Sequence, residues 1–176
     1  MKNTKNIISE IKYIIFAIIL AFAIKTFLFN FVKVNQSSMF PTLENGDIII
    51  ANSLYRWRDN KNRGDIIVFK SPIEKNKLYI KRIIALPGEE ITIKNGNIYI
   101  DDNLYSEAYF HNKPNTLSEK ETWKLSENEY FVLGDNRSPN GSIDSREFGP
   151  IGENVIKCKP FFRIFPFNKF GSIYRN

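Results

Sequence analysis

The chain has 176 residues, of which 43% are hydrophobic and 14% aromatic, and its formal net charge is +6. This length suffices for one domain with a hydrophobic core, and the apolar content excludes a disordered chain. The basic residues are spread along the sequence rather than clustered, which argues against a nucleic-acid partner and suits contact with anionic lipid headgroups.

The composition also limits the available chemistry. The one cysteine, Cys158, excludes an internal disulfide and makes a cysteine-based metal site improbable, so we interpret it as a small buried residue. The one histidine, His111, lies in a polar stretch and is interpreted as a loop residue. We therefore expect no metal and no cofactor, and serine chemistry in this chain would use a base other than histidine.

The first predicted element is a membrane span at residues 13–32, which are almost all apolar. A helix of about 20 residues covers roughly 30 Å, the thickness of the hydrocarbon layer. A cleavable signal peptide is the alternative, but the run ends in bulky residues without a small-x-small site. Three lysines precede the run and Lys33 alone follows it, which favours a cytoplasmic segment at residues 1–12 and an extracytoplasmic domain at residues 33–176.

The remainder of the chain is typical of β-strands bounded by turn residues. The predicted strands cover residues 47–52, 65–69, 78–85, 90–94, 97–100 and 130–133. Asn95-Gly96 between two of them predicts a type I′ hairpin. Residues 101–124 are polar and weakly patterned, and we interpret residues 94–125, with the hairpin turn, as a small hairpin and loop that leaves the core, called the middle excursion. The predicted fold class is mainly β, with antiparallel sheets after one N-terminal transmembrane helix.

From Lys157 onward, aromatic residues alternate with lysines and arginines. This pattern fits a last core strand with exposed alternate residues. It also fits a membrane interface and, less well, a surface that binds single-stranded nucleic acid.

Directly after the predicted span, Ser37 and Ser38 precede Met-Phe-Pro41. The proline stiffens the backbone beside two hydroxyl groups, as a nucleophile held in a defined turn requires. Either serine could be the nucleophile on this pattern alone.

A lysine is the candidate base. Lysine is protonated at neutral pH unless burial among apolar groups disfavours its charged form. Alternation in the strand at residues 78–85 places Lys81 on one face with Tyr79 and Ile83, and places Arg82 on the opposite face. The alternative is an edge-strand lysine that blocks further strand pairing, and the strand by itself favours that alternative.

Taken together, four segments resemble the successive motifs of bacterial type I signal peptidases, in the same order and after the same kind of anchor. They are Ser38-Met39-Phe40-Pro41-Thr42-Leu43, Arg63-Gly64-Asp65-Ile66-Ile67-Val68-Phe69, residues 79–89 (YIKRIIALPGE), and Gly134-Asp135-Asn136-Arg137 with Ser142-Ile143-Asp144-Ser145-Arg146. The tail at residues 163–171 also resembles the endings of that family.

This resemblance implies a Ser/Lys dyad on a signal-peptidase-like β-fold, with Ser38 as nucleophile and Lys81 as general base. It implies that the Ser142 hydroxyl orients the lysine ammonium and that Asp144 and Arg146 form a supporting ion pair. The backbone N–H of Ser38 would contribute to an oxyanion hole.

Two positions depart from the family pattern. Gln36 stands where the family usually has Gly, Ser or Thr, so its amide either donates a second oxyanion hydrogen bond or points away. The loop at residues 138–141 has four residues where the family commonly has two.

The resemblance also implies a substrate and a location. Shallow pockets lined by Val34, Leu43, Tyr79 and Ile80 would select Ala-x-Ala-like sequences by excluding larger side chains. We expect a monomeric, single-pass enzyme of the cytoplasmic membrane, facing outward, with preprotein signal peptides and phospholipid as its partners. The alternatives are a non-catalytic or substrate-dedicated homologue that assists surface-protein assembly, a self-cleaving repressor of related fold, and a membrane-tethered binding module.

Overall fold

The computed structural model describes the backbone of residues 2–59, 61–110, 112 and 114–174, and their side chains except at residues 2–9 and 23–27. His111, predicted to be a loop residue, lies outside this part of the chain. Within it, the α-helices are α1 (Lys2–Leu28) and α2 (Ser145–Phe148). The strands are β1 (Phe29–Lys33), β2 (Ile48–Asn52), β3 (Ile66–Lys70), β4 (Leu78–Ala85), β5 (Glu90–Lys94), β6 (Asn97–Ile100), β7 (Asn103–Leu104), β8 (Thr122–Lys124), β9 (Glu129–Leu133), β10 (Ile151–Gly152), β11 (Ile156–Phe165) and β12 (Gly171–Ser172).

Antiparallel pairing organises these strands into two sheets. The larger sheet has the order β1-β2-β11-β3-β4-β9-β10, with β12 also paired to β11. The smaller sheet has the order β7-β6-β5-β8. The mainly β fold class is therefore confirmed, and each strand predicted from the sequence is present to within one residue at either end.

The Asn95-Gly96 turn has the predicted geometry. Both residues have positive φ, 51° and 75°, as a type I′ turn requires, and Lys94 pairs with Asn97 across it. A Cβ atom on Gly96 would lie 2.0 Å from Oδ1 of Asn115, so the turn is also packed closely against a later segment. The middle excursion therefore contributes strands β6, β7 and β8 to a sheet rather than a single hairpin and loop.

The aromatic and basic tail forms β11, the longest strand described, which lies between β2 and β3. Its register shifts between Pro160 and Phe162 and again near its end, so the strand bends as it crosses the sheet. Cys158 on this strand packs against Ala51 and Val68, and burial raises the pKa of its thiol to about 11. The cysteine is a packing residue, and the tail is the predicted last core strand.

The predicted membrane span is wrong at its C-terminal end. The helix stops at Leu28, and Phe29–Lys33 forms β1, hydrogen-bonded to β2 with Phe29 opposite Asn52 and Lys33 opposite Ile48. An apolar run does not distinguish a helix from a short strand, so the sequence pattern merged the two elements. Among the residues with described side chains, no helix combines the length and hydropathy expected of a membrane crossing.

A shared core joins the two sheets. Isoleucines of β5 and β6 and Trp123 of β8 pack against the ends of β4 and β9; the buried members are Ile84, Ala85, Ile91, Ile93, Ile98, Ile100, Trp123, Leu125, Phe131 and Leu133. The smaller sheet thus supports two strands of the larger one from behind. One of these strands carries Lys81, and the other leads into Gly134.

Candidate active site

The segment that carries Ser38 is a tight turn anchored by apolar side chains. The backbone N–H of Phe40 donates to the carbonyl of Ser37 at 3.0 Å, and that of Leu43 donates to the carbonyl of Met39 at 2.9 Å. The Phe40–Pro41 peptide bond is cis. Met39 and Leu43 are fully buried, so the turn is fixed to the core and holds Ser38 with only 8% of its surface exposed.

Strand β4 brings Lys81 to this turn. Lys81 pairs with Ile67 of β3, and the next residue, Arg82, pairs with Leu133 of β9, so the lysine lies on an interior strand. The edge-strand alternative is therefore wrong. Lys81 is 1% exposed, its Nζ lies 2.7 Å from Oγ of Ser38, and it also donates to the carbonyl of Ile80 at 3.1 Å.

The surroundings of Lys81 favour its neutral form. Burial lowers the pKa of the ammonium to about 8 from the ordinary 10.5, opposed in part by the charges of Asp144 and Asp135. The ring centroid of Tyr79 lies 5.2 Å from Nζ on the same strand face, as the alternation predicted. With a pKa of about 8, about a tenth of this lysine is deprotonated at pH 7 and able to accept a proton.

Residues 134–137 form the wall behind the serine. The backbone N–H of Asn136 donates to the carbonyl of Ser38 at 3.0 Å, and its side-chain amide donates to the carbonyl of Ser37 at 3.3 Å. A Cβ atom on Gly134 would lie 2.4 Å from the Ser38 carbonyl oxygen and 2.2 Å from Oγ of Ser142. Only glycine fits between these two serines.

The four-residue loop at residues 138–141 leads into Ser142. It closes as a turn in which the N–H of Gly141 donates to the carbonyl of Ser138 at 2.8 Å. Ser142 returns beside Gly134, and its Oγ is buried without a hydrogen-bond partner among the described residues. The predicted contact between this hydroxyl and the lysine ammonium is not made in this structure.

Asp144 and Arg146 form the predicted ion pair. Nε and Nη2 of Arg146 each lie 2.8 Å from a different carboxylate oxygen of Asp144, which is fully buried. The same carboxylate caps α2 and accepts from the backbone N–H of Gly134 at 3.0 Å. The ion pair therefore fixes the start of the wall behind Ser38.

A cavity of about 610 Å³ opens beside Ser38, between the segment that follows β1 and the β3–β4 hairpin. Ser38 is one of the lining residues, and apolar side chains form much of the rest; these include Val32, Val34, Met39, Val68, Leu78 and Ile80. Gln36 is exposed at this cavity. The arrangement can place a peptide carbonyl against Oγ with small side chains in the cavity.

Comparison with known proteins identifies the family. A profile described as "Signal peptidase, peptidase S26" matches residues 7–165 of the chain. The chain belongs to this family of peptidases. It is 37% identical over 153 residues to "Signal peptidase I P" of Bacillus subtilis subsp. natto, covering 82% of this chain and 81% of that protein. It is 36% identical over 167 residues to "Probable signal peptidase I-2" of Synechocystis sp., covering 91% of this chain and 74% of the other.

Among solved structures, the chain is similar to a crystal structure of a signal peptidase I from Enterococcus faecalis V583. The two are 31% identical, the TM-score is 0.48, and the match covers 57% of this chain and 97% of that one.

In this peptidase the fold brings most of the predicted site residues together, though not all in the predicted places. Val34 and Ile80 line the cavity beside Ser38, but Leu43 and Tyr79 do not. Leu43 is fully buried, so its side chain serves the core. Tyr79 shares a strand face with Lys81, but its hydroxyl donates to Glu74 and its ring packs near Phe69 in a core cluster.

A second buried ion pair of this peptidase was not predicted from the sequence. Nε and Nη2 of Arg82 lie 2.9 and 2.6 Å from the two carboxylate oxygens of Asp135, which also accept from Thr42 Oγ1 at 2.5 Å. The Arg82 guanidinium lies 3.8 Å from the ring centroid of Tyr109. Alternation had already placed Arg82 on an apolar strand face, and a charge there needs a buried partner, which was the available signal.

Proposed function

We propose that the protein is a membrane-anchored serine endopeptidase that removes N-terminal signal peptides from secreted preproteins by means of Ser38 and Lys81. The observation that carries this proposal is the 2.7 Å separation between Lys81 Nζ and Ser38 Oγ, both buried. The names of the relatives, all signal peptidases, support the choice of substrate.

In the first step the neutral Lys81 accepts the Ser38 hydroxyl proton while Oγ bonds to the carbonyl carbon of the scissile peptide. The lysine ammonium then gives a proton to the leaving amine nitrogen as the C–N bond breaks, leaving an acyl-enzyme. Water, deprotonated by Lys81, then bonds to the ester carbon, and the C–Oγ bond breaks to release the acyl group as a carboxylic acid while the lysine returns the proton to Ser38 Oγ. The lowered pKa of Lys81, about 8, suits both the acceptance and the return of this proton.

Charge on the carbonyl oxygen would be stabilised by the backbone N–H of Ser38. The contacts of Ser37 and Ser38 with Asn136 hold this backbone in place before substrate arrives, and such preorganisation is the main source of oxyanion stabilisation. Gln36 lies exposed at the same cavity, from which its amide could supply the second donor.

Val34 and Ile80 support selection of small side chains before the cut. Val34 is buried, and Ile80 is partly buried against the same core cluster, so both present fixed methyl groups to the cavity. Fixed apolar walls exclude larger side chains because cores do not expand without strain. We therefore propose cleavage after small-x-small sequences.

Anchoring by α1 is supported by its exposed side chains. From Ile11 to Phe22 the large apolar residues are 48–75% exposed on all sides of the helix. A helix that is apolar on all sides is stable either inside a large protein core or within a membrane. We propose that it lies in the cytoplasmic membrane with the N-terminus inside, which confines the enzyme and its membrane-held substrate to one plane.

The test is cleavage of a preprotein in detergent by the wild type and by Ser38→Ala, with Ser37→Ala as the matched control. The proposal expects product from the wild type and the control but none from Ser38→Ala. Equal behaviour of all three proteins would leave the non-catalytic homologue as the better account.

A further inference from the structure

Glu107 of the middle excursion contacts the wall behind Ser38. Its carboxylate accepts from both terminal nitrogens of the Arg137 guanidinium, at 2.9 Å for Nη1, and the two side chains are almost completely buried. Arg137 Nη1 also donates to Thr116 Oγ1 at 2.7 Å. Both acceptors of this guanidinium edge come from the excursion, so the excursion sets the position of Arg137.

Arg137 in turn fixes the backbone against which the serine turn rests. Its Nε donates to the carbonyl of Gly134 at 2.7 Å, closing residues 134–137 into a tight loop. Gly134 is in contact with the Ser38 carbonyl, and Asn136 donates to the same oxygen. A change in the position of Arg137 is therefore passed to the Ser38 backbone through two neighbouring residues.

A second residue of the excursion, Tyr109, is linked to the same wall. Its hydroxyl donates to Glu107, and its ring lies on the Arg82 guanidinium. Arg82 in turn binds Asp135, the wall residue between Gly134 and Asn136. Glu107 and Tyr109 stand two residues apart, so a single short segment contacts both buried arginines that bind the wall.

We propose that Glu107 and Tyr109 are positioning residues of the peptidase, and that the excursion aligns Ser38 with Lys81 through Arg137 and Arg82. This inference rests on the proposed function. It assigns the excursion a part in the turnover step, beyond its contribution to the small sheet.

The test compares kcat and KM of Glu107→Gln with those of Glu153→Gln. Glu153 binds the buried Lys61 as Glu107 binds Arg137, so its loss also leaves a buried cation without its carboxylate, but Glu153 lies away from Ser38 and the wall. Both variants are assayed as the full chain in detergent, on a peptide with an Ala-x-Ala site, with the folded fraction measured by circular dichroism.

Glu107→Gln is expected to lower kcat per folded molecule by about 10- to 100-fold with KM within about twofold, because small misplacements of reacting groups cost that much. Glu153→Gln is expected to lose thermal stability and keep its kcat. A kcat for Glu107→Gln that stays within about twofold of wild type, or an equal fall in both variants, overturns the inference.

If Glu107→Gln does not fold, Tyr109→Phe takes its place, because it removes only the hydroxyl that orients Glu107 and keeps the ring on Arg82. A fall in kcat of about threefold, again with KM unchanged, supports the inference, and an unchanged kcat overturns it.

Ser38→Ala tests the proposed function separately. Activity that persists in Ser38→Ala rejects the peptidase mechanism. An unaltered kcat in the Glu107 and Tyr109 variants rejects only the positioning role.

Discussion

Lys81 and Arg82 are neighbours on β4, are 1% and 3% exposed, and face opposite sides of the sheet. Arg82 is held by both oxygens of Asp135, whereas no described carboxylate is hydrogen-bonded to Lys81. Burial alone would lower the pKa of both groups. For Arg82 the hydrogen bond and charge of Asp135 outweigh burial and raise the pKa, while for Lys81 burial dominates and lowers it to about 8.

The difference shows that the role of a buried cation depends on whether it has a carboxylate partner. With a bidentate carboxylate it is a permanent charge that ties two segments together. Without one it is a group that releases its proton near neutral pH, as a general base must. The two faces of one strand thus separate the structural part of the site from the part that can accept a proton.

The largest expected effect comes from Lys81→Met, which keeps the length of the side chain and removes the amine. Activity on a preprotein should fall by about 10²- to 10⁴-fold, because the base is lost. The free energy of unfolding at neutral pH should stay the same or rise, since a buried amine without a carboxylate partner costs stability. Urea denaturation measures the free energy of unfolding. If Lys81→Met loses several kcal/mol, Lys81 stabilises the fold as Arg82 does, and the contrast between the two residues is wrong.

Asp135→Asn should have the next largest effect. In contrast to Lys81→Met, it should lower the stability of the fold. It leaves Arg82 buried without its countercharge, which in general costs about 3–5 kcal/mol of stability. The measurement is the denaturation midpoint, with the exposed Asp102→Asn as a matched control. A midpoint equal to that of the control would mean that the Arg82 pair contributes little to stability.

The smallest effect expected is the dependence on pH. Because the folded pKa of Lys81 is about 8, activity should rise about tenfold per pH unit below that value and level off above it. This folded pKa lies below the ordinary 10.5, so stability should also rise with pH between about 8 and 10.5, where the folded protein has released the proton and the unfolded chain retains it. Lys81→Met should abolish this rise, and an identical pH profile of unfolding in both proteins would contradict the assignment.

Local patterns were enough to predict much of this architecture. Alternation located the strands, and Asn95-Gly96 specified a turn with two positive φ angles. The ordered motifs selected Ser38 and Lys81, which the fold brings into contact across 43 residues of sequence. Apolar composition did not separate α1 from β1, because the same residues suit a membrane helix and a strand that pairs with β2.

Other features depended on tertiary neighbours that no local pattern reveals. Leu43 and Tyr79 are apolar enough to line a pocket, and only packing places them in the core instead. The partner of Arg137 is Glu107, 30 residues away in a weakly patterned stretch, so its burial was not predictable. Ser142 Oγ has no hydrogen-bond partner among the described residues, and the side-chain rotamers that govern such contacts are not determined by sequence.

Helix α1 passes into β1 without an intervening loop, since Leu28 ends one element and Phe29 begins the other. If α1 lies in the membrane, the short segment from Leu28 to Ser38 limits how far Ser38 can lie from the bilayer. About ten residues at roughly 3.3 Å each set an upper limit of about 33 Å on the height of Ser38 above the bilayer. The enzyme would then select its cleavage site by distance from the bilayer as well as by sequence. It would cut only those peptide bonds that the substrate's own apolar segment holds within that distance.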